Sequence, residues 1–526
     1  MAVMRERHRL PLVLLCGLAL AALSTALIAG AASGRDAARR PRPQRAAAAA
    51  RPNIVFILTD DQDLLLGSLD AMPHLRWLLG TQGLTFSHDF VPLSLCCPSR
   101  STILTGQYAH NHKVYTNAPP DGGFQEFLRL GHEEATIGTA LHEAGYRTAL
   151  MGKYLNEYPH GSDRTHVPPG WDEWDVPIDG NAYGGFNYTL NQNGKLIPHG
   201  AAPADYMTDV ITARARQFIA GAAAGPSPFF LYVATYAPHR PYTPAPRHAA
   251  LFANAKAPRT PSFNEADVSD KPEGVRARPP LTAGDIAFID RGYRLRLQGL
   301  QAVDEMVAAI VRTLRNNGQL DNTYIFFTSD NGYHMGQHRM LPAKYTPYET
   351  DVRVPLLVRG PGVPAGRTVD AFTLNVDFAP TFAEIAGATL REPVDGRSLV
   401  PLLHGGPVPA DWRKSVLLEQ FTFREAPQPA GTVREPSEAP AAQGVVEYPS
   451  HLGLRTPTYK YVEYANGERE LYDLTADPDE TENQARRADP GFLAQLSDRV
   501  HRLNACAAAA CRQLEALPPP VRPAGH

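Results

Sequence analysis

Short, largely apolar runs bounded by polar residues recur along this chain. Residues 53–58, 146–151, 228–234, 323–329 and 353–358 lack the alternation of a half-exposed strand. They read as strands buried on both faces, as in a parallel sheet. Pro355 lies inside the last run and predicts an edge position for it. Helical spacing covers 101–108, with a start at or within the motif before it, 134–144, 206–219 capped by Asp205, 285–317 closing at Gly318, and about 490–506. A further helix opens at 375–381, and residues 395–399 close that region. Asn193-Gly194 between two apolar stretches predicts a hairpin. From residue 452 the pattern changes to short strands, 452–455, 459–463 and 470–473, with a turn at Asn466-Gly467. They predict a small antiparallel sheet. Residues 243–280 are rich in Pro and Ala with little periodicity and predict a long surface excursion, and 426–443 an insertion or lid.

The polar residues that end the runs carry candidate chemistry. Asp60 and Asp61 follow the first run, where α/β sheets place their ligands. A helix cap would account for one aspartate and not for both, and adjacent like charges call for a cation between them. The run 323–329 repeats this logic with Asp330 and Asn331. Together these four make an all-oxygen set, which suits Ca²⁺ or Mg²⁺ rather than zinc. Lys153 and His239 follow two other runs and fall at the same rim, Lys153 as an anion ligand. His110 and His112 fit a site lining and a plain loop pair equally, and His334 and His338 each could face a substrate.

Composition narrows the partners. The 526 residues carry a net charge of −3, with 20% charged residues, so no basic excess points to nucleic acid. They suffice for one large core plus a smaller domain, divided here as 51–405 and 406–526. Arg5, Arg7 and Arg9 precede an apolar run over 10–32, so 1–33 reads as an export signal or a membrane anchor, and 34–50 as a disordered linker. The expected location is secreted, cell-surface or periplasmic. Five cysteines do not make a disulfide scaffold, although Cys506 and Cys511 are close enough for a local bridge or remain two free thiols.

The string from Cys96 to Gly106, Cys-Cys-Pro-Ser-Arg-Ser-Thr-Ile-Leu-Thr-Gly, gathers a cysteine pair, a proline and an arginine. It resembles the signature of the type I sulfatases, C-x-P-S-R followed by L-T-G, at every fixed position. Gly152-Lys153-Tyr154, Ala237-Pro238-His239 and Ser329-Asp330-Asn331-Gly332-Tyr333-His334 resemble the branch of N-acetylglucosamine-6-sulfatases and extracellular heparan sulfatases. The resemblance implies a large mixed sheet sandwiched by helices, with a smaller C-terminal α/β domain. It also implies Ca²⁺ held by Asp60, Asp61, Asp330, Asn331 and residue 96. Cys96 would be oxidised to formylglycine (3-oxoalanine) by a formylglycine-generating enzyme.

The substrate so implied is a sulfated carbohydrate or an aryl sulfate. Metal, Arg100, Lys153, His239 and Lys344 would neutralise the sulfate oxygens. One hydroxyl of the hydrated aldehyde attacks sulfur, the alcohol leaves with a proton from His239 or Lys344, and loss of a proton from the other hydroxyl expels sulfate. The chain departs from the family at Leu155, where a histidine is common, so the base for this last step is open, with His334 a candidate. Asn156, His112 and His334 are candidates for holding substrate. A phosphonate monoester or phosphodiester hydrolase of the same superfamily is one alternative, and a catalytically silent sulfated-glycan-binding protein another.

Overall fold

Alternation along single strands builds two cores, one on each face of a sheet. In the computed structural model, which describes residues 51–421, 433 and 449–523, the first strand β1 is Asn53–Thr59. Ile54, Phe56 and Leu58 point into one apolar cluster, and Val55 and Ile57 into another. The long helix Ala283–Asn316 and the helix Met207–Ala223 cover the second face through Met306, Ile310, Ile211 and Phe218. The helices Phe378–Ala386, Cys96–Thr105 and Ile137–Glu143 cover the first. There Phe56 meets Tyr232, Phe378 and Phe382 at ring separations of 4.9, 5.1 and 5.2 Å. Each such aromatic pair adds about 1 kcal/mol beyond its buried area.

The other strands in chain order are β2 (Leu84–Phe90), β3 (Arg147–Gly152), β4 (Glu173–Gly180), β5 (Tyr188–Gln192), β6 (Lys195–His199), β7 (Phe229–Ala234), β8 (Thr323–Ser329), β9 (Arg353–Arg359) and β10 (Arg367–Leu374). They form one ten-stranded mixed sheet in the order β10-β2-β9-β8-β1-β7-β3-β4-β5-β6. Its centre, β8-β1-β7-β3, is parallel. The β5–β6 hairpin turns at Asn193-Gly194 as its sequence predicts. A second sheet holds β11 (Val416–Gln420), β12 (His451–Arg455), β13 (Tyr459–Tyr464) and β14 (Arg469–Asp473), all antiparallel. The helix Pro490–Asn504 packs Phe492, Leu496 and Val500 onto it. Cys506 and Cys511 are bridged. Among the described residues no helix is long and apolar enough to cross a membrane. The segments 1–33, 34–50 and, Val433 aside, 426–443 lie outside the described residues.

Several local expectations change. β9 is interior, antiparallel to both β8 and β2, and not an edge. Pro355 falls where the pairing with β2 slips between Phe86 and Asp89, so the missing N–H sits at an irregularity. Asp205 does not cap the helix Met207–Ala223; it ends a short turn and accepts from its own Ala202 N–H at 3.3 Å. The 134–144 pattern splits at Thr136, whose hydroxyl caps the helix Ile137–Glu143 by accepting from Thr139 N–H. The 243–280 excursion buries Ala257, Val268 and Val275, with Lys271 neutralised by Glu265 and Asp270 at 3.1 and 3.2 Å. Its packing is aperiodic, so hydrophobic spacing does not reveal it. β11 has no counterpart in the sequence reading.

Buried ion pairs tie the second sheet to the short helix Glu349–Val352 that leads into β9. Arg455 on β12 meets both oxygens of Glu349 at 3.1 and 3.2 Å, and Lys460 on β13 reaches Glu349 at 3.5 Å. Burial penalises the Glu349 charge, but Arg455 and Lys460 outweigh it and hold the carboxyl at about 2, below its usual 4.5. Glu480 shares Lys460 and moves the other way, pushed up by burial to about 7. Glu349→Gln leaves the Arg455 guanidinium buried and uncompensated, and is expected to cost on the order of 3 kcal/mol at neutral pH. A depressed carboxyl stabilises the fold above its unfolded pKa and ceases to do so as pH falls through its folded one. The stability gap between wild type and variant should therefore close between pH 4.5 and pH 2, as read by urea unfolding at each pH.

Candidate active site

Four neighbouring parallel strands end on one rim, and hydrogen bonds just beyond them fix the chains that follow. Thr59 on β1 pairs with Ser329 on β8, which sets Asp60 beside Asp330. Asp330 N–H donates to Thr59 O at 3.1 Å, Asp60 N–H to Ala237 O at 3.3 Å, and Lys153 N–H to Ala234 O at 2.9 Å. Gly152 is required at that last crossing: its φ is +99°, and a Cβ would lie 1.8 Å from Ala234 O. Asp60, Asp61, Lys153, His239, Asp330 and Asn331 therefore converge from β1, β3, β7 and β8. All are buried.

Cys96 enters from the side as the first residue of the helix Cys96–Thr105. Its sulfur lies 3.4 Å from Asp60 Oδ1 and 3.0 Å from Lys344 Nζ. Burial and then Asp60 push the thiol well above its usual range, so an unmodified Cys96 is a neutral, weakly nucleophilic thiol. Arg100, one turn on, donates Nε–H to Asp330 Oδ2 at 2.8 Å and a second N–H to Lys153 O at 2.8 Å. Lys153 Nζ meets Asp60 Oδ2 at 2.7 Å, and Lys344 Nζ meets Asp61 Oδ1 at 2.7 Å. His239 Nε2 is 3.4 Å from Asp61 Oδ2. Burial opposes charge on this ring, but Asp61 and Asp60 prevail and raise it well above the usual imidazole range. As a protonated donor it suits an anion better than a metal.

Ligand atoms of Asp60, Asp61, Cys96 and His239 all lie within 4.8 Å of one another. Asn331 Nδ2 donates to Asp61 Oδ1 at 2.7 Å, and Asp61 N–H to Asp330 Oδ1 at 3.1 Å, which ties the second strand end to the first. Asn331 Oδ1 is buried and has no hydrogen-bond partner among the described residues. An orphaned buried acceptor costs about 1–3 kcal/mol, which a divalent cation would offset. Three carboxylates and this amide oxygen fit a hard oxygen-loving cation.

The weaker candidates fall in three places. Asn156 Nδ2 lies 3.4 Å from Tyr183 OH, and the Tyr183 ring meets His239 at 4.6 Å and Lys153 Nζ at 5.0 Å. Asn156 thus backs an aromatic wall of the site. His334 is buried with Nδ1 at 2.9 Å from Asp351 Oδ2. His112 is not brought into the set. Its Nδ1 accepts from Val114 N–H at 3.1 Å and its Nε2 lies 3.0 Å from Thr102 Oγ1, which makes it a satisfied core histidine. His338 pairs instead with Glu265 at 2.6 Å. Leu155 packs into the core.

Sequence reasoning missed Asp351, Tyr183 and Arg296. Arg296 reaches from the long helix beneath the rim and donates to Asp61 O at 2.6 Å and Asp63 Oδ1 at 3.1 Å. An arginine on the apolar stripe of that helix was the available signal.

The sulfatase family model matches residues 52–388 of this chain. The chain belongs to the sulfatase family. It is 38% identical over 483 residues to N-acetylglucosamine-6-sulfatase of Homo sapiens, across 89% of this chain and 87% of the human protein. It is 44% identical over 354 residues to a putative extracellular sulfatase Sulf-1 homolog of Caenorhabditis elegans, across 67% of this chain and 49% of that protein. A solved structure of a protein in complex with its substrate D-glucosamine-2-N,6-O-disulfate aligns with TM-score 0.69 and 26% identity, across 89% of this chain and 99% of that one. The phosphonate monoester hydrolase of Agrobacterium radiobacter aligns with TM-score 0.64 and 23% identity over 86% of this chain and 95% of its own, a likeness of fold alone. This sulfatase is a sulfuric ester hydrolase with the mixed-sheet fold of its family.

Cys96→Ala is expected to abolish turnover while thermal unfolding stays within a few degrees of wild type. The sulfur touches the polar rim and is not part of either sheet core. Full retained activity in that variant would remove Cys96 from the chemistry.

Proposed function

We propose that this sulfatase hydrolyses a sulfate monoester on a sulfated sugar, of the 6-O-sulfated N-acetylglucosamine type. The observation that carries it is the convergence of four cationic side chains, Arg100, Lys153, His239 and Lys344, on three carboxylates and Cys96 at a single buried rim. With a divalent cation added, the rim carries a positive surplus, as an anionic ester requires. The names of the curated relatives favour sulfur over phosphorus and a glucosamine sulfate over other esters. Tyr183, flanked by Asn156, offers an apolar face with a polar edge beside the cations, the kind of wall a sugar ring stacks on.

Asp60, Asp61, Asp330 and Asn331 are the residues to hold the cation, Ca²⁺ or Mg²⁺, which when bound supplies charge against the sulfate oxygens. Cys96 Sγ stands where the oxygen of a formylglycine hydrate would lie, and that hydroxyl is the nucleophile this reading assigns. Lys344 and Lys153 hold the transferring group from two sides, each steadied by a carboxylate. His239, fixed by its Nδ1 at 2.7 Å from Arg240 O, presents Nε2–H to the same space. Arg100 orients Asp330 and the Lys153 backbone, and its remaining Nη2, buried without a hydrogen-bond partner among the described residues, is left for a sulfate oxygen. Maturation requires a formylglycine-generating enzyme, and the extracellular relatives together with the N-terminal apolar run support export.

The test is direct. Peptide mass spectrometry across Cys96 in protein from its native host should show the mass change from thiol to aldehyde. The matured protein should turn over N-acetylglucosamine-6-sulfate and an aryl sulfate at least about 100-fold faster, in kcat/KM, than an aryl phosphate diester. The reverse preference would assign the site to phosphorus. An unmodified thiol with retained binding of sulfated sugar would assign it to recognition alone.

A further inference from the structure

Lys344 touches both Cys96 and Asp61, yet it sits on no helix or strand. The segment from Asn331 to Thr346 is a loop whose one internal bridge joins His334 and Ala343. The residue after Lys344 is strained: Tyr345 has φ +83°, a left-handed backbone that costs a non-glycine residue about 1–3 kcal/mol. Left alone, such a loop relaxes and carries Lys344 away from Cys96. Something must hold it.

We infer that Asp351 is the positioning residue for Lys344. Its carboxylate is wholly buried. Oδ2 accepts from Thr346 N–H at 3.1 Å and from the Thr346 hydroxyl at 2.5 Å, directly beyond the strained residue. The same carboxylate receives His334 Nδ1–H at 2.9 and 3.0 Å, and the Thr350 hydroxyl at 3.3 Å. The backbone of the same short turn receives the start of the loop: Gly332 N–H donates to Asp351 O, and Tyr333 N–H to Thr350 O, both at 2.8 Å. One turn therefore grips the loop at each end, and one side chain ties those grips together through His334 and Thr346. No lysine or arginine is among these carboxylate partners; the latch works through directed donors, the His334 ring among them. His334 serves this latch through Nδ1, which leaves its Nε2 outside the latch.

The inference rests on Lys344 acting on the sulfate, and a double-mutant cycle separates the two ideas. Matured full-length protein is assayed with an activated aryl sulfate, so that the slow variants stay measurable. Formylglycine content and bound metal are determined for each. Asp351→Ala alone is expected to lower kcat about 100-fold, the scale of an ångström-level misplacement of a reacting group. In the Lys344→Ala background the same change should cost no more than about 3-fold, because the group it positions is already gone. An equal loss in both backgrounds, or no loss in either, overturns the inference and leaves the reading of Lys344 intact. If Lys344→Ala itself is silent, the reading of Lys344 falls first and the inference with it. Should Asp351→Ala fail to fold, Thr346→Val runs the same cycle with a smaller expected loss, about 10-fold alone and none in the Lys344→Ala background.

Discussion

Three carboxylates share one dry rim, and the rest of the structure answers their repulsion. Two unit charges about 4 Å apart repel by roughly 4 kcal/mol at a protein-like dielectric. Asp60, Asp61 and Asp330 are all fully buried, so water screens none of them. Each has a cation in place: Lys153 at Asp60, Lys344 at Asp61 and Arg100 at Asp330. Those cations come from three different parts of the chain. Their convergence therefore depends on the parallel register of β1, β7, β8 and β3 and on the helix that starts at Cys96. A divalent ion shared among these oxygens would release part of each cation for an incoming anion. The same repulsion that threatens the fold thus suits the rim to an incoming anion.

What could be read from the sequence follows from which physics is local. A buried strand writes itself as an unbroken apolar run, and the polar residue at its end marks the rim, so β1, β3, β7, β8 and the six residues they deliver were legible. Pro355 misled because its rule concerns free edges, whereas the fold uses a slipped register to the same effect. β11 was not legible because it is defined by its partner β12, which lies far from it in the sequence. Asp351 was not legible for a similar reason. An aspartate in a short turn looks like a solvated one until the loop it receives is folded over it.

Leu155 shows how a family position can change its work. Where a histidine is common, this chain puts a leucine into the core cluster beside Tyr154 and Tyr158. A polar ring there would need a buried partner or water. The chain instead keeps its imidazoles on other supports: His239 on the Arg240 carbonyl and Asp61, His334 on Asp351, His112 on Thr102 and Val114. Of these three, it is His239 that faces the carboxylate rim directly.

The C-terminal sheet also bears on the order of the Lys344 segment. Lys460 on β13 donates to Pro347 O at 2.6 Å, and the Tyr348 hydroxyl donates to Glu470 Oε1 at 2.8 Å. Both contacts hold the chain just after Thr346, which Asp351 grips through its side chain. Glu349, one residue further, carries the buried pair with Arg455. The segment that presents Lys344 is therefore pinned in succession by a turn of the large sheet and by strands of the small one. The small sheet thus contributes to the site through the order it imposes on residues 347–349, next to the stretch that Asp351 holds at Thr346.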